Sequence, residues 1–278
     1  MSPTDKSTWT RSRINMPCHM TFDAAEFAPR AWAAICELCG GEDRVDPESK
    51  VWRDTLIVNL GSAENEGKPV HPKELPEWHV DGDFFIHYLD SREQGMLVIP
   101  LYTDIVPGGG ATFICPEAIP KVAKQLYEHP EGLSPRMIPR GEKGFRDERG
   151  TWFQECAKSC ENFVEATGKV GDVYLLHPLM LHVASSNPLR NVRIITNPPV
   201  SLKDTFNFDR EDGNYSMLEQ LTLRALGKER LPGWKATGPR EQVVPERVRV
   251  WEKMKLEEAK RLEELKAREG QAVASAAA

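Results

Sequence analysis

The chain has 278 residues, 40% of them hydrophobic, a formal net charge of −6 and a mean hydropathy of −0.48; that length suits one large domain or one domain with helical additions. No membrane span is expected, because the longest apolar runs, such as residues 96–101, fall far short of the ~20 residues a spanning helix needs. Nucleic acid is not an expected partner either, because phosphate binding asks for a one-signed basic patch, and the C-terminal Lys and Arg residues alternate with Glu.

Residues 1–20 read as a loose arm. They begin MSPTDKSTWTRSR, without the apolar stretch of a secretory signal, so a cytoplasmic location is expected. A helix is predicted over 23–38, with apolar residues at helical spacing and Gly40-Gly41 as its stop. Cys36 and Cys39 make a CxxC within it. Two further zinc ligands at a similar spacing are missing, so these read as plain thiols. Six cysteines in a chain of this length are not a disulfide scaffold. The β-branched run 55–60, ending at Gly61, predicts a strand. Strands are also expected at 84–89, 96–101 and, after a triple glycine, 112–115. A helix follows over 119–127, opened by Pro120, which a first turn tolerates. Residues 131–149, rich in Gly, Pro and charge, read as a long loop. Strand signals return at 170–176, 181–184 and 192–196.

The last helix, 245–267, is charged on most faces. Val248, Trp251, Met254, Leu262 and Leu265 form a narrow apolar stripe that has to cover the core or a second copy of the chain in a homodimer. From Gly270 on, small residues suggest a disordered tail. The organisation expected is therefore an arm over 1–20, a core with its N-terminal helix over 21–205, a helical extension over 206–269 and a tail over 270–278. Many short strands with Gly and Pro turns predict a mainly β sandwich or barrel with flanking helices, rather than a parallel α/β sheet.

The chemistry is concentrated in Glu77-Trp-His-Val-Asp-Gly-Asp83. Side chains alternate faces in an extended chain, so His79 and Asp81 point the same way, while Trp78 points away and packs. An imidazole and a carboxylate so placed are two ligands for one metal ion. Two His and one carboxylate on one face, with the other positions open, is the ligand set of non-haem Fe(II) oxygenases. A third ligand would come from a distant strand. His177 and His182 are both candidates, in Tyr174-Leu-Leu-His-Pro-Leu-Met-Leu-His-Val183. Pro178 interrupts the strand between them, so parity does not choose. Beyond them lies Arg193, in Asn191-Val-Arg-Ile-Ile195. A buried Arg there would hold a carboxylate in a two-pronged contact.

The HxD, then Gly171-Asp-Val-Tyr-Leu-Leu-His-Pro and His182 about a hundred residues on, then an Arg eleven residues later, resembles the phytanoyl-CoA dioxygenase family of Fe(II)/2-oxoglutarate oxygenases. The segment Gly108-Gly-Gly-Ala-Thr-Phe-Ile-Cys-Pro116 is similar to that family's glycine-rich strand, and Gly40-Gly-Glu-Asp-Arg44 is also similar. The resemblance covers roughly residues 20–200. It implies a double-stranded β-helix, the cupin-like jelly roll. It implies Fe(II) held by His79, Asp81 and His182, with 2-oxoglutarate anchored by Arg193 and touched by Thr112. The implied reaction uses O2, releases succinate and CO2, and oxidises an unactivated C–H bond of a small-molecule metabolite by hydroxylation, desaturation or cyclisation. No motif identifies the substrate.

His177 then reads as structural, Asp83 as a turn residue and Arg190 as a loop cap. Two other functions use the same ligands. A non-catalytic cupin-like metal-binding protein would have no need of Arg193. A metal-dependent hydrolase would want a general base beside the metal, and no H-E-x-x-H sequence is present. A halogenase of the same chemistry lacks the carboxylate ligand, which Asp81 supplies.

Overall fold

The computed structural model describes residue 2 and residues 4–147 and 150–276. The side chains of Arg247 and Trp251, and those past residue 266, lie outside the described set, and with them the expected place of Trp251 in the apolar stripe.

In chain order the elements are β1 (Arg13–Asn15), β2 (Thr21–Asp23), α1 (Ala24–Phe27), α2 (Pro29–Cys39), β3 (Val51–Arg53), β4 (Ile57–Asn59), β5 (Met96–Pro100), β6 (Thr112–Cys115), α3 (Ile119–Glu128), α4 (Trp152–Lys158), β7 (Val164–Ala166), β8 (Val173–Leu176), β9 (Leu181–Ala184), β10 (Arg193–Ile195), β11 (Pro199–Val200), α5 (Met217–Ala225) and α6 (Glu246–Ala276). The fold is β-rich and mixed. Its strands are antiparallel and fall into several small sheets, with no closed barrel among the described residues.

The helix expected over 23–38 is two helices. Asp23 caps the first by accepting the Ala25 N–H at 2.7 Å, and Pro29 opens the second. Proline has no N–H to give and holds the residue before it out of the helical region, so the chain breaks at Ala28. The stop at Gly40 is as read, in the left-handed conformation at φ +92°. The strand expected at 84–89 is absent. Phe84, Ile86 and His87 bond instead to residues 243, 241 and 133 in turn, giving isolated bridges of Phe85 to Gln242 and of His87 to Leu133. Residues 13–15 of the expected arm are a strand, paired with β4. The last helix runs to Ala276, past residue 267 where the sequence suggests it ends and into the expected tail.

Two groups of strands position the site. β4 pairs with β1 on one edge and β10 on the other. β5 pairs with β8 and β11. A bridge from Leu101 to Ile195 joins these groups. It keeps the register in which Pro199 faces Leu97, so β10 and β11 run in line along β5. The other group has β6 between β7 and β9, and β9 is bridged on its far side by His79. All five residues of β5 are buried, as a strand covered on both faces requires. Apolar side chains of both groups belong to one hydrophobic core with α2 and α3.

Candidate metal centre

His79 and His182 exchange backbone hydrogen bonds: the His79 N–H donates to the His182 carbonyl at 3.1 Å, and the His182 N–H to that of His79 at 2.9 Å. Residues opposed in this way in an antiparallel pair present their side chains on one face. Asp81, two residues on from His79, returns to that face. The ligand atoms of His79, Asp81 and His182 all lie within 4.8 Å of one another. The Asp81 Oδ1 is 3.6 Å from the His79 Nε2 and 3.4 Å from the His182 Nε2. Metal–ligand bonds near 2.1 Å place neighbouring ligand atoms about 3 Å apart, so little closure is needed.

Backbone carbonyls orient both rings. The His79 Nδ1 is 2.7 Å from the Glu77 carbonyl, and the His182 Nδ1 is 2.9 Å from the Met180 carbonyl. A carbonyl only accepts, so Nδ1 carries a proton in each ring and leaves Nε2 as the nitrogen that faces Asp81. Glu77 holds its place at φ +71°, a conformation that costs a non-glycine residue about 1 kcal/mol or more. After Asp81 the chain turns at Gly82, φ +120°, where an added Cβ would lie 2.6 Å from the Phe85 ring and 2.7 Å from that of His87.

Burial opposes charge on Asp81, but the hydrogen bonds and charges of His182 and His79 outweigh it and hold the carboxyl well below the usual range. For His79, burial likewise opposes charge. Asp81 and the Glu77 carbonyl overcome it and raise the imidazole above its ordinary value, against the positive charge of Arg136. The exposure is graded, since the His79 side chain is 39% exposed and that of His182 8%. The centre therefore opens on the His79 side.

Arg193 is fully buried. Its Nε donates to the Gly110 carbonyl at 2.6 Å and its Nη1 to the Ile57 carbonyl at 3.3 Å. No carboxylate pairs with it among the described residues. Burial, with the nearby charge of Arg13, brings its pKa down to about 10. Thr112 is buried and faces Ala184 in the register that sets Ile114 opposite His182, so Thr112 and His182 share a face. Gly110, which holds Arg193, comes two residues before Thr112. Thr112 and Arg193 thus follow His182 along one side of the interior.

His177 is not brought to this cluster. Its Nδ1 accepts the Leu179 N–H at 3.2 Å, and its Nε2 donates toward the Leu218 carbonyl and the Thr222 hydroxyl. It ties the turn after β8 to α5, and burial lowers its pKa to about 4. Trp78 is buried against Phe163. Arg190 pairs with Glu66 at 3.2 Å and lies over the Trp9 ring. The CxxC thiols are buried and free. Arg13 and the backbone strain at Glu77 have no local sequence signal, since both depend on contacts distant along the chain.

No family model, curated protein or solved structure matches the chain.

Proposed function

We propose that this protein is an Fe(II)- and 2-oxoglutarate-dependent oxygenase, acting on an unactivated C–H bond of a small-molecule metabolite, on a double-stranded β-helix of the cupin-like kind. Two antiparallel layers support the fold reading. One runs β7, β6, β9 and the His79 segment, and the other β8, β5, β10 with β11, β4 and, at its edge, β1. Along the chain β4, the His79 segment, β5, the β6–β7 pair, β8, β9 and β10 fall to the two layers by turns.

The observation that carries the function is the buried, unpaired Arg193 on the same side of the interior as the two-His, one-carboxylate cluster. A buried guanidinium without a counter-charge is costly, and a carboxylate-bearing ligand relieves that cost. A storage site or a hydrolase has no use for it. The donor set fits Fe(II), with two imidazole Nε2 atoms that converge and one carboxylate held ionised. With 2-oxoglutarate and O2, iron so held supplies an oxidant strong enough for a C–H bond, the cosubstrate leaving as succinate and CO2. His79, Asp81 and His182 would hold the ion between them, and small molecules would complete its ligands. Arg193 receives the far carboxylate of the cosubstrate, and the Thr112 hydroxyl donates to the same molecule. Buried apolar neighbours on β6 and β9 keep water from that side, while the exposed edge of His79 marks where substrate enters.

The test loads the protein with Fe(II) and 2-oxoglutarate without oxygen, admits O2, and measures succinate with a panel of candidate metabolites. Succinate above background, with product mass raised by one oxygen or lowered by two hydrogens, is expected. Binding of both ligands with no succinate from any metabolite would favour a non-catalytic metal-binding protein. Arg193→Leu should weaken 2-oxoglutarate by roughly 2–5 kcal/mol, the cost of losing a buried charge-assisted contact, with iron affinity nearly unchanged. Equal 2-oxoglutarate affinity in that variant would refute the anchor.

A further inference from the structure

Arg13 stands in β1, directly across β4 from Arg193: Asn59 is the register partner of both residues. Cross-strand partners face one side of a sheet, so the two arginines share a face two strands apart, about 10 Å between backbones. Each head reaches a backbone carbonyl near one end of the facing ladder. The Arg13 Nη2 donates to the Ala184 carbonyl at 3.1 Å, and the Arg193 Nε to that of Gly110 at 2.6 Å. Ala184 and Gly110 lie at the same end of the β6–β9 ladder, where the Ser185 N–H bonds to the Ala111 carbonyl. That end is one pleat past Thr112. Arg13 also pairs with Glu77 at 2.7 Å, the residue whose carbonyl orients His79. Burial chiefly lowers the pKa of Arg193, and the like charge of Arg13 adds to that lowering.

Resting on the oxygenase reading, we propose that Arg13 is a binding residue of the cosubstrate site. With Arg193 it makes a two-guanidinium seat for the distal carboxylate of a 2-oxo dicarboxylate, and its ion pair with Glu77 ties that seat to the loop carrying His79. The N-terminal strand then belongs to the active centre, and the site selects a cosubstrate with a second carboxylate over a 2-oxo monocarboxylate.

The experiment titrates the anaerobic Fe(II) protein with 2-oxoglutarate and with 2-oxobutyrate, which lacks the distal carboxylate. The charge-transfer absorption of the iron–2-oxo acid chelate is read for wild type, Arg13→Gln, Arg13→Lys and Glu77→Gln. Arg13→Gln should raise the Kd for 2-oxoglutarate about five- to tenfold, as loss of a partly exposed charge-assisted contact does. It should leave the Kd values for 2-oxobutyrate and Fe(II) in place. Arg13→Lys should recover most of the loss. Thermal melting checks that each variant is folded. A parallel rise for both 2-oxo acids, or the same profile in Glu77→Gln, would mean that Arg13 acts only through the loop and would overturn the proposal, as would no change at all. A wild type that takes up Fe(II) but neither 2-oxo acid would instead overturn the oxygenase reading itself, an outcome distinct from any difference among variants.

Discussion

At the scale of single residues, the two histidines of the 174–183 segment have opposite fates. His182 turns its Nε2 to Asp81, while His177 spends both ring nitrogens on backbone and hydroxyl partners. His182→Ala should therefore lose bound metal with the fold intact, and His177→Ala should keep most of its metal and lose stability. Metal content after dialysis and melting curves separate the two outcomes, and the reverse pattern would refute the ligand assignment. His177 also makes the fold sensitive to acid. Its folded pKa lies near 4, below the ~6.5 of an unfolded His. Between these values the unfolded chain takes up a proton that the folded chain excludes. The contribution is thus fully present above about pH 6.5 and lost as pH falls toward 4, on the order of 3 kcal/mol in all. Melting temperatures across that window should fall less steeply for His177→Gln than for wild type.

At the scale of elements, the turn after the HxD segment is the point most sensitive to a small change. Gly82→Ala places a Cβ against Phe85 and His87 at a backbone angle that L residues avoid. The His87 Nε2 bonds to the Gly82 carbonyl at 2.7 Å, so the clash passes to the segment carrying Asp81. A loss of roughly 1–3 kcal/mol together with weaker metal uptake is expected, and denaturant melts with metal titration measure both. Equal metal affinity in a destabilised variant would show that Asp81 does not depend on the turn. The strands β6 and β9 were legible from the sequence end to end, because each is a short apolar run between turn signals. The His79–Asp81 pair was legible from alternation alone. The 84–89 run looks no different, yet its hydrogen bonds go to residues 133 and 241–243, and a partner that distant leaves no trace in local pattern. The β1 strand escaped for the same reason. The Ser216–Glu219 capping box that starts α5 did carry a local signal, one overlooked within the broad 206–269 extension.

At the scale of the whole molecule, α6 extends the chain with apolar groups in water. Val250, Met254, Leu256, Leu262 and Leu265 are 44–73% exposed, so the expected cover on the chain's own core is not found among the described residues. A second copy is the remaining cover consistent with a narrow stripe. The full chain should sediment as a dimer and a version ending at residue 245 as a monomer, with unchanged melting of the core. Equal mass for both by analytical ultracentrifugation would refute association through the helix.

The pairing of β4 with β10 carries a consequence for how the protein is made. Residues 57–59 emerge from the ribosome early, and their partners at 193–195 come more than a hundred residues later. Until then one edge of β4 is open, and the guanidinium of Arg193 has not yet met the carbonyls of Ile57 and Gly110 that receive it. Contacts this far apart in sequence slow folding, because the loop between them must close before they stabilise anything. Although His79, Asp81 and His182 are all synthesised before residue 183, a nascent chain stopped there would have that cluster but an incomplete sheet behind it. A chain stalled at that point would therefore present the open edge of β4 until residues 193–195 arrive to cover it, and an exposed strand edge is the usual route to aggregation.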